Sequence, residues 1–293
     1  MKLLAPSYYK KFKCIADKCT HSCCIGWEID IDTDTYEKYS RMSGEFGKEI
    51  LKSIEISDTP HFKLQKNDRC PHLDENGLCR IITKVGEEYL CEICREHPRF
   101  YNFTSRGCEV GLGMACEEAC RIILGEDFFG ELDEIGEIDG EIDESFPDPS
   151  FLRKNVLTLL SRDLSHKECL KLLYDELGIS ETFFESEEYR YLILSLEYLD
   201  NRHRDLFLSS TGTEMHDEKK LKRALAYFVY RHCAVADSLE DFYRRLGFCL
   251  FCEALLRRTA AALGSLELAA RIVSEELEYS TDNTEAIMSC FNF

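Results

Sequence analysis

The pattern of apolar and polar positions divides the chain into two unlike parts. From residue 151 onward, apolar residues recur at the three- and four-residue spacing of amphipathic helices. Ser165-His166-Lys167-Glu168 matches a capping box, in which serine and glutamate side chains satisfy the free N–H groups of a helix start. The pattern predicts six helices: 151–164, one beginning at Ser165, 189–208, 218–236, one covering 239–256, and 266–279. We expect them to pack as a bundle through Leu225, Phe228, Leu246 and Leu250.

Residues 1–121 show no comparable helical period. Trp27–Asp32 alternates apolar and acidic residues, which predicts a half-buried strand. Asn67-Asp68 and Asn76-Gly77 are turn signals placed shortly before Cys70 and Cys79. A segment rich in turns and cysteines predicts an irregular domain, of the kind that a bound metal often organises.

Between these parts lies an acidic stretch. Residues 122–152 hold eleven Asp and Glu and no Lys or Arg, and Pro147-Asp148-Pro149 interrupts any regular structure. The predicted fold is therefore mainly α, with an irregular, cysteine-rich metal-binding N-terminal domain and a C-terminal helical bundle. The predicted boundaries are 1–121 for the cysteine-rich domain, 122–150 for an acidic linker and 151–293 for the helical domain.

Charge and hydropathy narrow the functional classes. The formal net charge of −19 disfavours binding to nucleic acid and to anionic membranes, because phosphate groups would repel the chain. No run of about 18 apolar residues predicts a membrane span. The N-terminal segment has neither the long apolar stretch nor the cleavage site of a secretory leader. We expect a cytoplasmic protein.

The cysteines carry the strongest chemical signal. Eleven of the sixteen lie in the first 120 residues. In a cytoplasmic chain, cysteines at motif-like spacing favour metal ligation over disulfides. The candidate ligands are Cys14, Cys19, Cys23, Cys24, Cys70, Cys79, Cys91, Cys94 and Cys116. We expect the sulfurs of Cys19, Cys23 or Cys24, Cys70, Cys79, Cys91 and Cys94 to converge.

Zinc and an iron–sulfur cluster are both compatible with thiolate ligands. Adjacent Cys23 and Cys24 cannot easily chelate one ion together, because their side chains diverge along the chain. The remaining cysteines are interpreted as core residues, and His21, His72 and His97 as residues that pack or hydrogen-bond beside the site.

Two segments are similar to enzyme motifs but do not match them. Cys14-x4-Cys19-x3-Cys23 does not match the Cys-x3-Cys-x2-Cys run of radical enzymes that cleave S-adenosylmethionine. Val110-Gly111-Leu112-Gly113 is similar to a glycine-rich nucleotide loop, but it lacks the third glycine and a predicted strand–turn–helix context.

Several of these segments resemble the flagellin lysine-N-methylase family. They are Phe12–Cys14, Cys23–Asp30, Cys70–Leu73, Leu78-Cys79, Cys94–Arg99, Ala115–Ala119 and, near the end, Glu278–Asn283. The cysteine core also resembles a broader zinc- or iron-chelating domain with a CxxCxxCC pattern, although the spacing here is looser. The resemblance implies methyl transfer from S-adenosylmethionine to lysines of flagellin. It also implies a bound iron–sulfur cluster, with four irons favoured, or zinc.

Methylation of lysine requires a neutral amine, since an ammonium has no lone pair with which to attack. The fourteen tyrosines and many acids leave the catalytic base unassigned. The alternative is a non-enzymatic zinc or iron–sulfur module joined to a helical domain that binds a partner.

Overall fold

The computed structural model describes residues 1–142, 148–212 and 217–291. It divides the chain into two compact units. Met1–Phe12 and Pro98–Phe293 form one, called here the helical unit, and Lys13–His97 forms the other, called the cysteine unit. The mainly α fold class is confirmed.

The regular elements follow in chain order. The strands are β1 (Lys2–Pro6), β2 (Ile54–Glu55), β3 (His61–Phe62), β4 (Arg99–Thr104), β5 (Gly107–Leu112) and β6 (Leu132–Glu137). The helices are α1 (Thr33–Arg41), α2 (Gly44–Ser53), α3 (Arg80–Val85), α4 (Glu92–Glu96), α5 (Glu117–Gly125), α6 (Ser150–Ser161), α7 (His166–Leu177), α8 (Glu187–Ser195), α9 (Asn201–Ser209), α10 (Glu218–His232), α11 (Leu239–Leu263), α12 (Leu266–Val273) and α13 (Thr281–Met288). A π-helical turn, Ser274–Glu278, follows α12 directly.

The helical unit contains a four-stranded sheet that sequence reasoning missed. Its strand order is β4-β5-β1-β6, with β1 parallel to β5 and antiparallel to β6. The unit boundaries therefore differ from the predicted domains, because residues 1–12 and 98–121 belong with the helices. The expected acidic linker also contains regular structure, since it includes β6 and the end of α5. Residues 143–147 of that stretch lie outside the described residues.

The helices surround α11, most of whose residues are buried. Leu225, Phe228, Leu246 and Leu250 are all at most 1% exposed, so the predicted packing residues do form the core. The described residues 148–212 and 217–291 contain helices and no strand. No described helix is long and apolar enough to cross a membrane.

The predicted capping box is present at the start of α7. The Ser165 side chain accepts a hydrogen bond from the Glu168 N–H, and the Glu168 carboxylate accepts one from the Ser165 N–H. The predicted helices over 151–164 and 218–236 correspond to α6 and to α10 with a following 3₁₀ turn. The predicted helix over 239–256 lies within the longer α11.

The single helix predicted over 189–208 is wrong. The chain forms α8 and α9, with a break between them. At the break, the buried Glu276 carboxylate accepts hydrogen bonds from the N–H groups of Leu199 and Asp200. The Asp200 side chain then caps α9. Polar side chains that are distant in sequence thus replace the helical hydrogen bonds of this segment.

The helix predicted over 266–279 is α12 continued by the π-helical turn. Three glutamates of that turn have different partners. Glu275 pairs with Arg271, Glu276 with His203, and Glu278 with His232. Helix α13, which was not predicted, follows this turn and is capped by Ser280.

The cysteine unit has a separate small core built around Ile29, Ile31, Tyr39, Ile50 and Phe62. The alternation predicted for 27–32 is correct in burial, because Ile29 and Ile31 are buried. No regular ladder forms there. The segment is held to residues 60–62 by an isolated bridge and two backbone hydrogen bonds.

Candidate functional site

Five of the predicted cysteines share the core of the cysteine unit. Cys70 and Cys91 are buried, and Cys24, Cys79 and Cys94 are half-buried against the same cluster. All five have free thiols. Cys24, Cys79 and Cys91 are close enough to Cys70 to interact with it electrostatically, as are Cys24 and Cys70 to Cys94. The fold therefore brings into one region thiols that are up to seventy residues apart in sequence.

Loops position the thiols of Cys24, Cys70 and Cys79. The Cys70 N–H donates to the Cys24 carbonyl at 2.8 Å. The turn before Cys70 uses Asn67 and Asp68 with φ values of 61° and 52°, a left-handed conformation that Asn and Asp tolerate. The turn before Cys79 closes because the Asp74 carboxylate accepts hydrogen bonds from the N–H groups of Asn76 and Leu78. Both turns predicted from sequence are present.

Cys91 and Cys94 flank one turn at the start of α4. The Asp32 carboxylate accepts a hydrogen bond from the Glu92 N–H at 2.8 Å and fixes the start of this helix. The Tyr39 hydroxyl lies 3.6 Å from the Cys91 sulfur and donates to the Tyr89 carbonyl at 2.7 Å. Sequence reasoning missed Tyr39, because a tyrosine on an amphipathic helix carries no signal that it faces a thiol.

The thiols ionise unequally. A hydrogen bond from Cys23 lowers the pKa of Cys24 to about 7, against burial, which raises it. A hydrogen bond from Cys94 likewise lowers the pKa of Cys91, and burial again opposes it. Burial raises the pKa of Cys70 to about 12 and also raises that of Cys79. The pKa of Cys94 is raised by its hydrogen bond to Cys91 and by burial. Cys24 and Cys91 therefore lose their protons more readily than Cys70, Cys79 and Cys94 do.

The other four predicted ligands are not part of the core of the cysteine unit. Cys14 is exposed, and the Ala16 N–H donates to its sulfur at 3.4 Å. Cys19 is half-buried, with its thiol donating to the His21 carbonyl at 3.1 Å. Cys23 is exposed. Cys116 belongs to the helical unit, where it precedes α5. The assignment of all nine as ligands stays a prediction.

The residue types fit a soft metal, since free cysteine thiols, once deprotonated, are the ligands of zinc and of iron–sulfur clusters. The thiols do not form a closed coordination sphere. Within 1–142, 148–212 and 217–291, no three His, Cys, Asp or Glu side chains are grouped as metal ligands. Metal binding would therefore require these side chains to shift and to release their protons.

His72 lies two residues after Cys70 in sequence and is a buried core residue. It is 1% exposed, lies against the Phe62 ring at 4.8 Å, and pairs with the Ser53 hydroxyl at 2.9 Å. Burial lowers its pKa to about 4. The expectation that this histidine packs and hydrogen-bonds agrees with the structure.

In the helical unit, Gly111 lies in β5, and Gly113 follows that strand and precedes α5, so a strand–turn–helix context is present, contrary to the sequence interpretation. The space above the glycines is nevertheless filled. A Cβ on Gly111 would lie 2.2 Å from the Phe100 ring, and one on Gly113 would lie 2.4 Å from the Tyr279 hydroxyl. These glycines therefore admit the protein's own side chains, and the loop does not fit a nucleotide.

Next to Gly113 lies a charged cluster that sequence reasoning also missed. The Arg231 guanidinium is stacked between the rings of Phe100 and Tyr279, each 4.9 Å away, and it lies 3.5 Å from the Glu278 carboxylate. Glu278 and Tyr279 belong to the C-terminal segment that carries the family resemblance. That resemblance was the available signal, but it did not reveal the partner Arg231 on α10.

Comparisons with known proteins point in the same direction as the resemblance. The chain is similar to lysine-N-methylases. It is 29% identical over 128 residues to "Lysine-N-methylase" of Salmonella typhimurium and to "Flagellar biosynthetic protein FliU" of Salmonella muenchen. The match covers 41% of this chain, 32% of the first relative and 76% of the second. It thus spans about a third of the lysine-N-methylase and supports a family relation. No family model and no solved structure matches the chain.

Proposed function

We propose that the protein is a lysine N-methyltransferase that acts on flagellin, with S-adenosylmethionine as the methyl donor. The observation that carries this proposal is the similarity to relatives named lysine-N-methylase and FliU. The segments that resemble the family come from both units, since they include Cys70–Leu73 and Glu278–Asn283.

We further propose that Cys24, Cys70, Cys79, Cys91 and Cys94 supply the ligands of an iron–sulfur cluster, with four irons favoured, or of zinc. Cys14, Cys19, Cys23 and Cys116 are the remaining candidates. Zinc held by four thiolates would stabilise the loops of the cysteine unit, whereas an iron–sulfur cluster would add electron transfer. The shared core position of the five thiols supports this assignment.

The activity test uses the full chain, purified without oxygen, with flagellin from the same organism and S-adenosylmethionine. We expect intact-mass spectrometry to show flagellin gaining successive methyl groups and peptide mapping to place them on lysines. Wild-type protein that contains metal and is folded, yet adds no methyl group, would refute the proposed activity.

The metal test compares Cys79→Ser with Cys290→Ser. Cys79 is half-buried and is one of the five thiols that share the core of the cysteine unit. Cys290 is exposed and lies near the C-terminal end of the helical unit. We expect metal analysis and the absorption spectrum to show loss of metal only in Cys79→Ser. Broad absorbance near about 400 nm in the wild type would identify an iron–sulfur cluster, and a colourless zinc protein would exclude one. Equal metal content in the two variants would contradict the ligand assignment.

A second candidate is a non-enzymatic metal module, favoured by the separate core of the cysteine unit. In that case the wild type would contain metal and bind flagellin or another protein without changing its mass. The methylation assay separates the two functions directly.

A further inference from the structure

Three histidine–glutamate pairs occur in the described part of the helical unit. The His166 and Glu253 side chains approach to 3.2 Å, those of His203 and Glu276 to 2.5 Å, and those of His232 and Glu278 to 2.6 Å. Their surroundings distinguish them. Glu276 also binds backbone N–H groups at the break between α8 and α9, so that pair holds a loop. Glu278 is instead held by side chains.

The Glu278 carboxylate is completely buried and firmly oriented. The Tyr227 hydroxyl donates to its two oxygens at 3.1 and 3.0 Å. That hydroxyl in turn accepts hydrogen bonds from Arg231 Nη1 at 2.8 Å and from the Met114 N–H at 3.2 Å. Burial raises the pKa of Glu278, but the Arg231 charge and the hydrogen bond from His232 lower it further, so the net shift is downward. The group is therefore a carboxylate at neutral pH.

An ionised carboxylate 2.6 Å from His232 Nε2 sets the tautomer of that ring. Nε2 must carry a proton to donate, so Nδ1 of the neutral ring has a free lone pair. Within the described residues, the side-chain hydrogen bond of His232 is made by Nε2 and not by Nδ1, and the side chain keeps 12% of its surface exposed. The edge contact with Phe248, at 4.7 Å between ring centroids, fixes the ring plane.

Burial favours the neutral form of His232. Burial lowers the pKa of His232, the hydrogen bond and the charge of Glu278 raise it, and Arg231 and Arg245 lower it, with a net shift below the ordinary value. A neutral ring held by a carboxylate is the arrangement that general bases use. The π-helical turn that presents Glu278 is a kind of distortion frequently found at functional sites.

We propose that His232, oriented by Glu278, is the proton acceptor for the substrate lysine; this inference rests on the proposed methyl transfer. Nδ1 takes one proton from the lysine ammonium and leaves a neutral amine and an imidazolium beside the Glu278 carboxylate. The amine lone pair then forms the N–C bond to the methyl group of the sulfonium donor. The C–S bond breaks, and its electron pair stays on sulfur as a neutral thioether.

The kinetic test compares His232→Gln with His203→Gln, since both histidines pair with a buried glutamate in the same unit. We expect His232→Gln to lower the methylation rate at pH 7 by about 10²–10⁴-fold, the usual contribution of a general base. The deficit should narrow as the pH rises toward about 10.4, where lysine loses its proton unaided. His203→Gln should keep the wild-type pH profile. A constant deficit at every pH, or equal deficits in both variants, would overturn the inference.

A second measurement does not depend on activity. In histidine-labelled protein at pH 7, the nitrogen chemical shifts of His232 should show a protonated Nε2 and an unprotonated Nδ1. Glu278→Gln should abolish that preference, provided that circular dichroism shows the variant folded. A doubly protonated ring, or a proton on Nδ1, would contradict the proposal.

The outcomes separate this inference from the proposed function. If the wild type adds no methyl group to flagellin, the proposed function fails. If the wild type methylates flagellin and His232→Gln does so equally well, the function stands and the role of His232 is wrong.

Discussion

At the scale of single residues, the helical unit combines deeply buried charges with fixed partners. Arg153 reaches the Glu109 carboxylate through two hydrogen bonds, at 2.8 and 2.6 Å, and the two side chains are 7% and 0% exposed. Such a pair ties α6 to β5, because neither charge can be left alone in the core. Surface pairs such as Lys2–Glu134, at 58% and 50% exposure, carry no such constraint.

Glu109→Ala should therefore destabilise the protein by about 3–5 kcal/mol, since it leaves the Arg153 charge buried and unpaired. Glu134→Ala, in the same sheet, should cost under about 1 kcal/mol. Urea unfolding followed by circular dichroism measures both. Similar midpoints for the two variants would show that the buried pair is not a structural requirement.

Gly113 and Gly125 provide a second residue-scale comparison. A Cβ on Gly113 would lie 2.4 Å from the Tyr279 hydroxyl and 3.0 Å from Arg231 Nη1, whereas one on Gly125 meets nothing within 4 Å. We expect Gly113→Ala to lower the thermal midpoint. Gly125→Ala, at the end of α5, should raise stability by about 0.5–1 kcal/mol. Equal thermal midpoints would contradict the close packing over Gly113.

At the scale of elements, the break between α8 and α9 shows how tertiary contacts override a helical pattern. Asn283 accepts a hydrogen bond from the Glu197 N–H and donates to the carbonyls of Glu197 and Glu276, each at 2.8 Å. Together with the Glu276 carboxylate, it satisfies backbone groups of the break. The segment 196–200 is thus clamped by α13 and by the π-helical turn.

Asn283→Ala should loosen this clamp selectively. We expect the Glu197 amide to lose protection from hydrogen exchange and the free energy of unfolding to fall by about 1–3 kcal/mol, because buried backbone groups lose their partner. Asp282→Ala, an exposed neighbour at the start of α13, is the matched control and should leave that protection intact. Unchanged exchange in Asn283→Ala would rule out the clamp.

At the scale of the whole molecule, the described chain has two separate hydrophobic cores, one in each unit. The core of the cysteine unit is small and holds five thiols. The metal proposed for this unit would add its binding free energy to the folding free energy of that small core. The helical unit has a far larger apolar core.

Calorimetry of anaerobically purified protein should accordingly show two transitions. A chelator that removes the proposed metal should lower the midpoint of one transition, assigned to the cysteine unit, and leave the other within error. Hydrogen exchange of residues 13–97 checks the assignment. A single transition that shifts as a whole on chelation would contradict independent stabilisation of the two units.

Much of the helical architecture follows from the sequence, because burying one face of a helix imposes a period that can be recognised locally. The apolar spacing predicted α6, α10 and α11, and the Ser165 capping box predicted the start of α7. The turn signals before Cys70 and Cys79 were also sufficient to predict the two turns, since Asn, Asp and Gly accept the left-handed backbone that these turns require.

The tertiary structure alone decided the rest. The sheet joins β1 to β5 across a hundred residues, and no local pattern encodes such a pairing. The partners of Glu278 come from α10 and those of Glu276 from α9 and the residues before it, so nothing near either glutamate in sequence reveals its role. The cysteines were evident as a composition and a spacing, but which thiols share a core depends on the folding of three loops and α4. Local residue types thus determined the chemistry available to this protein, whereas long-range packing determined which groups meet.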